Sequence, residues 1–366
     1  MRKFFSVALI FNLIISAAGG SIAQSATQKR ASISIAGSTG GGAIEIGAAP
    51  IARSSAPTDE LVALLPASDL IAVVDFGRAF NELLPKLSGF SAGGLDKLAK
   101  SIQDFTLKTG IDPSKIESAV VSMNMEGSQG IGVIIIQGID PDPKQIGAAM
   151  KEFGSDFKTS DYKGKTVYNV VSKVTTPSAG SFSLKTDEFA LAALGRQKVA
   201  LGDLKVVKQV IDVQSGAGKG GVSAMMAGAI KETRASALVR FAMNIPESLR
   251  SEAVNQGDLF KSVATIKIIL GTFDVGSDFS LLIDSIIRTG SQNDATELEN
   301  GLKGLISLGK DIFAGGADPK TNLFAQLLDQ VKIGSKVNDV SLSINLSREI
   351  LDQLTKKEAP PPAEKK

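Results

Sequence analysis

Two apolar stretches, each broken once by a glycine-bearing polar turn, constrain this chain more than anything else in it. The first is Ile116 to Gln137 (IESAVVSMNMEGSQGIGVIIIQ), turning at Glu126-Gly127-Ser128-Gln129-Gly130. The second is Val263 to Ile287 (VATIKIILGTFDVGSDFSLLIDSII), turning at Asp274-Val275-Gly276-Ser277-Asp278. Apolar runs of strand length on both sides of such a turn predict a β-hairpin. A helix start follows each hairpin at the same distance, since Gly127 to Asp142 and Gly276 to Ser291 are both 15 positions. The expected fold is α+β, with two similar units, each a mainly antiparallel sheet with helices packed on one face. Generic α+β patterning is the alternative to duplication. The halves are also unequal: Ala72 to Gly127 is 55 positions, and Leu238 to Gly276 is 38.

Composition decides which chemistries such a body can carry. The 366 residues include no Cys and no His. A disulfide framework, a thiolate nucleophile, a Cys/His zinc site and an imidazole base are all ruled out. Catalysis by this chain has to use carboxylates, Lys, Tyr or Ser. Lys plus Arg number 40 against 38 Asp plus Glu, a formal net charge of +2, which gives no electrostatic case for a nucleic-acid partner.

The N-terminus reads as an export signal. Met1-Arg2-Lys3 is basic, Phe4 to Ala18 is apolar, and the small residues Ser21 and Ala23 precede Gln24 as a cleavage site requires. An uncleaved anchor is the other reading of the same pattern, although the run is short for a membrane span. No Cys follows it, so a lipid-anchored N-terminus is excluded. The expected organisation is a signal peptide at 1–23, a low-complexity linker at 24–59, a first α+β unit at 60–221, a second at 222–355 and a charged, Pro-rich disordered tail at 356–366. The expected location is the periplasm or the medium, with no stable membrane span after cleavage.

Within the first unit, Leu70 to Phe76 suits a central strand, followed by a helix stopping near Pro85 and an amphipathic stripe at Leu95, Leu98, Ile102 and Phe105. Asp142-Pro143 and Asp203 cap helices, and Phe189–Leu194 pairs with Lys198–Leu201. In the second unit, Ser236 to Ile245 takes the place of Leu70 to Phe76. Asp294 caps a helix presenting Leu298, Leu302, Leu305 and Leu308. A further helix carries Phe324, Leu327, Leu328 and Val331, and Val340 to Leu346 alternates as a half-exposed strand.

Each motif of chemical interest has a structural competitor. Gly216, Gly218 and Gly221 satisfy G-x-G-x-x-G, but a helix rather than a strand precedes them, which favours a linker over a dinucleotide site. Ser155-Asp156-Phe157-Lys158 and Ser307-Leu308-Gly309-Lys310 match S-x-x-K, and Lys108-Thr109-Gly110 supplies K-T-G, but in the wrong order for an acyl-enzyme. Asp140-Pro141-Asp142-Pro143 lacks the oxygen ligands and glycine of a calcium loop. No cofactor and no metal site is expected. Asp69, Asp75 and Arg78 cluster around the first strand, and Arg240 sits inside its counterpart. A pairing of Asp75 with Arg240 makes a buried ion pair or a small polar pocket; solvated strand ends are the competing reading.

The run Leu65-Pro66-Ala67-Ser68-Asp69, then Val73-Val74-Asp75, Asn81-Glu82-Leu83-Leu84-Pro85 and Thr109-Gly110-Ile111-Asp112-Pro113, resembles a group of uncharacterised exported bacterial α+β proteins. The resemblance implies a bacterial source and a large α+β domain, and supplies no activity. The expected function is a non-catalytic exported binding or scaffold protein, with an apolar small molecule or an envelope protein held between the halves. A carboxylate-dependent hydrolase and an envelope structural protein tethered by linker and tail are the alternatives.

Overall fold

The apolar run at Leu70 has no polar face, and it lies at the centre of a sheet. In the computed structural model it forms β1 (Leu70–Asp75), with Ile71, Val73 and Val74 almost wholly buried. The structure describes residues 56–87, 95–126, 129–152, 157–170, 183–184, 188–218, 221–247, 250–251, 262–313 and 319–355. The signal-peptide, linker and tail expectations lie outside these residues, save that the linker's last four residues belong to a helix. Among the described residues no helix is long and apolar enough to cross a membrane. The chain divides into two compact units, 1–249 and 250–366.

The first unit opens with α1 (Ala56–Ala63), which precedes β1 and buries Leu61 completely. Asp75 then caps α2 (Phe76–Arg78), which passes through a π-helical turn (Ala79–Leu83) into α3 (Leu84–Leu87). The expected stop at Pro85 is therefore displaced. Proline has no N–H, and its ring crowds the carbonyl four residues back. The chain widens one turn instead, so that Leu84 N–H donates to Ala79 O five residues earlier. After α4 (Leu95–Thr109) come the hairpin β2 (Ser118–Glu126) and β3 (Gln129–Gln137), with Glu126 opposite Gln129. Next is α5 (Pro143–Glu152), closed by a reciprocal capping box: Asp142 N–H donates to Gln145 Oε1 and Gln145 N–H to Asp142 Oδ1, both at 2.9 Å.

The remaining strands of this unit are β4 (Phe157–Tyr162), β5 (Lys165–Val170), β6 (Ser183–Leu184), β7 (Phe189–Gly195), β8 (Lys198–Asp203) and, after α6 (Leu204–Gln214) and α7 (Ala224–Glu232), β9 (Val239–Asn244). Their order is β9-β1-β2-β3-β8-β7-β5-β4, antiparallel throughout, with β6 parallel to β3. β4 has no counterpart in the sequence expectation, because its exposed Lys158, Thr159, Ser160 and Asp161 leave no apolar alternation to read. The expected boundary at 221 also shifts. α7 and β9 belong to the first unit, where β9 pairs with β1 from Leu70↔Met243 to Val74↔Val239.

The second unit is a four-stranded antiparallel sheet with order β10-β11-β13-β12. Its strands are β10 (Ile268–Val275), β11 (Leu281–Arg288), β12 (Val331–Lys336) and β13 (Asp339–Leu346). Its helices are α8 (Gln292–Phe313), α9 (Pro319–Asp329) and α10 (Arg348–Thr355). Two expectations are corrected here. The cap of α8 is Ser291, whose Oγ accepts from Asp294 N–H at 3.2 Å, and Asp294 occupies the first turn. Val331 starts β12 rather than ending α9, because a strand of sequence VKIGSK offers too few apolar residues to announce itself.

Candidate functional site

The polar residues singled out around β1 fall at two ends of an extended strand. Asp69 lies before its first residue, and its Oδ2 accepts Met125 N–H at 2.9 Å. Asp75 ends the strand and, as N-cap of α2, accepts Arg78 N–H at 2.8 Å. Six steps of strand at roughly 3.3 Å per residue put their Cα atoms about 20 Å apart. Arg78 stays with Asp75: its Nη1 donates to Ser236 O at 2.9 Å, and its Nε lies 3.8 Å from Glu82. Three of the four predicted residues therefore gather at one end of the strand, and Asp69 does not join them.

Arg240 is the third. It sits on β9 directly opposite Val73, and Asp75 N–H donates to Leu238 O, so Asp75 and Arg240 are diagonal neighbours on one sheet face. Arg240 is 4% exposed, yet among the described residues it has no hydrogen-bond or ion-pair partner. Burial holds its guanidinium below the usual arginine range, against the opposing pull of the Asp59 and Asp75 carboxylates. It remains a cation at neutral pH all the same.

A cleft of about 300 Å³ opens between α1 and α7. Its walls include Asp59, Val62 and Ala63 from α1, Val222 from the preceding loop, and Ile230 and Lys231 from α7. Both walls are anchored by their sequence. α1 is held by the buried Leu61 and by Glu60, whose carboxylate lies 2.8 Å from the buried Lys198 of β8. Hydrogen bonding from Lys198 and its charge keep the Glu60 carboxyl below the ordinary range. α7 starts at Ser223, whose Oγ accepts Met226 N–H, and it turns Met226, Ala229 and Ile230 inward. Asp59, Val62, Ile230 and Lys231 were not singled out from sequence. In a linear reading the two charges look like ordinary helix-end residues, and nothing marks them as neighbours.

The glycine motif beside the cleft has a structural task. Gly216 takes φ +73° just after α6, and Gly218 N–H and Ala217 N–H both return to Asp212 O, a helix C-terminal cap. A side chain on Gly221 would meet the backbone of Pro66 and Ala67 at 2.1–2.7 Å, so that residue lets the loop pass against the segment after α1. The other motifs behave alike. Thr109 of the K-T-G is buried and donates to Phe105 O at the end of α4. Lys310 of the second S-x-x-K lies 2.6 Å from Asp329, joining α8 to α9. Ser155 and Asp156 of the first lie outside the described residues. Among the described residues no group of three or more His, Cys, Asp or Glu stands together as metal ligands would.

A second polar cluster ties the β4–β5 hairpin to α6. Tyr162 O–H donates to Asp212 at 2.9 Å, Lys163 Nζ lies 2.6 Å from the same carboxylate, and Lys208 Nζ lies 5.3 Å from the Tyr162 ring centroid. Lys163, and then Tyr162, hold Asp212 below the usual carboxylate range, and Asp212 in turn raises the Tyr162 phenol.

No family model and no curated protein matches the chain. Among solved structures, crystal form I of TP0453 is similar with a TM-score of 0.41 and 8% identity, over 80% of this chain and 95% of that one. Crystal forms III and IV of TP0453 give TM-scores of 0.40 and 0.41 at 10% identity, again over 80% of this chain.

Proposed function

We propose that this chain is a non-catalytic exported protein that binds a small molecule, built by duplication of one α+β unit. The observation that carries the binding reading is the cleft between α1 and α7, apolar at Val62, Ala63, Val222 and Ile230, with the charged side chains of Asp59 and Lys231 on its walls. Ligand sites combine an apolar lining with a few placed polar groups. The hydrolase alternative is less well supported, because Asp69 and Asp75 each accept a backbone N–H and stand at opposite ends of β1. Export rests on the sequence pattern of Met1 to Ala23.

Support for duplication comes from strand order taken within each unit. In the first, hairpins β2–β3 and β7–β8 join through β3 and β8, and helices α5 and α6 follow them. In the second, hairpins β10–β11 and β12–β13 join through β11 and β13, and helices α8 and α10 follow them. The β4–β5 hairpin is then an insertion peculiar to the first copy.

Native mass spectrometry of the protein purified from cells that make it, set against a denatured spectrum, tests the binding reading. A reproducible extra mass in the native spectrum alone is expected. A bare polypeptide mass in both spectra would count against a held ligand.

A further inference from the structure

The charges on the walls of the cleft bear on the chemistry of what it holds. Asp59, Val62 and Ala63 stand at i, i+3 and i+4 on α1, so they form one stripe of that helix. Ala227, Ile230 and Lys231 form a second such stripe on α7. Each wall therefore carries apolar side chains and a single charge, negative on α1 and positive on α7. Gly221 and Val222, which complete the lining, add no charge. Asp59 is half-buried and Lys231 exposed. Among the described residues neither has a hydrogen bond or an ion pair, with the other or with any third residue.

That pattern narrows the ligand. A neutral apolar molecule would take water from both charges and offer neither a partner, which costs free energy. An anion would meet Lys231 but be repelled by Asp59, and a cation would meet Asp59 but be repelled by Lys231. A molecule with one charge of each sign answers both walls at once. The lining at Val62, Ala63, Val222 and Ile230 asks for an aliphatic body, and about 300 Å³ is at the small end of ligand pockets. We propose that the cleft between α1 and α7 takes a small zwitterion with an aliphatic body, such as a free aliphatic amino acid, its ammonium group beside Asp59 and its carboxylate beside Lys231. This rests on the reading of the cleft as a binding site. Arg240 does not line the cleft and has no direct part in it.

Calorimetric titration of the purified protein tests it, with L-leucine and 6-aminohexanoate as zwitterions and hexanoate and hexylammonium as singly charged molecules of the same carbon count. At least one zwitterion is expected to bind with a stoichiometry of one, at least about fivefold tighter than either singly charged probe. Asp59→Asn is expected to weaken that zwitterion to about the level of hexanoate, and Lys231→Met to about the level of hexylammonium. Both side chains reach solvent, so the two variants should keep the parent's fold, which unfolding midpoints check. A singly charged probe that binds as tightly as both zwitterions would overturn the proposal. Variants that keep the parent's preference would also overturn it, as would no binding of any probe up to about 10 mM. In each of these events an extra mass in the native spectrum would mean that the ligand class fails and the binding reading stands, whereas a bare polypeptide mass would count against both.

Discussion

Replacing Arg240 by methionine should make the protein more stable, which is unusual for a 4%-exposed position in the middle of a sheet. Most buried substitutions lose packing and cost stability. Here the side chain removed is a cation with no hydrogen-bond partner among the described residues, and methionine keeps most of its length and its apolar stem. The direction of the guanidinium's shift gives the sign. Burial lowers it by more than Asp59 and Asp75 together raise it, so the folded protein disfavours the charge. Replacing a buried ion pair with apolar groups of similar volume is often neutral or stabilising by about 1–4 kcal/mol, and a buried charge with no direct partner has less still to offset its desolvation. We expect the low end, about 1–2 kcal/mol, because the two carboxylates lose a favourable neighbour. A unit of this size gains about 2–4 °C in Tm per kcal/mol, so thermal unfolding followed by circular dichroism should show a rise of about 2–8 °C. Without added ligand, a fall of more than about 1 kcal/mol would refute the reasoning, since it would mean that Arg240 has a partner on which the fold depends.

Other expectations follow from particular residues. The sequence contains two tyrosines, and both phenols are raised, Tyr162 by Asp212 and Tyr168 by burial. In an ultraviolet tyrosinate titration both should ionise above the ordinary value of about 10. Asp212→Asn should bring one back toward it, and two unchanged midpoints would sink the assignment. For Asp212 itself the folded carboxyl lies below its unfolded value, so its stabilising contribution is complete above about pH 4 and is lost as the pH falls through the folded value. Urea midpoints should accordingly fall less steeply below about pH 4 in Asp212→Asn than in the parent. Val337, at the turn between β12 and β13, has φ +55° and is 64% exposed. A left-handed conformation costs a β-branched residue about 1–2 kcal/mol, and glycine gives back part of that gain as unfolded-chain entropy. Val337→Gly should therefore stabilise by about 0.5–1 kcal/mol, and a loss in urea unfolding would contradict the turn geometry. Ile135 is fully buried on β3, so Ile135→Ala should cost about 2–5 kcal/mol, whereas Leu107→Ala, at 78% exposure, should change stability by less than about 0.5 kcal/mol. Comparable effects at both sites would contradict the placement of the core.

The parts of the fold that the sequence announced are those where hydrophobic period and turn chemistry agree. The two long hairpins show apolar runs around glycine-bearing turns, and helices after Asp142 and Asp203 begin at residues whose side chains do cap them. β4 and β12 were illegible because edge strands facing solvent carry Lys, Ser, Thr and Gly, which leave no period-2 signal. The helix running through Pro85 was illegible for another reason. Proline's usual consequence was overridden by a single π-turn over Ala79–Leu83, which no residue pattern in that stretch announces. The candidate site shows the same division. Asp75 and Arg78 are three residues apart, and their contact is a local capping motif, readable from the chain. The distance between Asp69 and Asp75 follows only once the run is known to be a strand. That Asp59 and Lys231 line one cleft, and that Arg240 lies opposite Val73, depends on contacts between segments far apart in the chain, which no local pattern encodes.

The claim that the cleft between α1 and α7 binds a small molecule is tested most directly by native mass spectrometry of the parent protein beside Ala63→Trp, which adds bulk to an exposed residue of the cleft wall. The predicted result is an extra mass in the native spectrum of the parent that Ala63→Trp loses. The same extra mass in both proteins, or none in either, would contradict it.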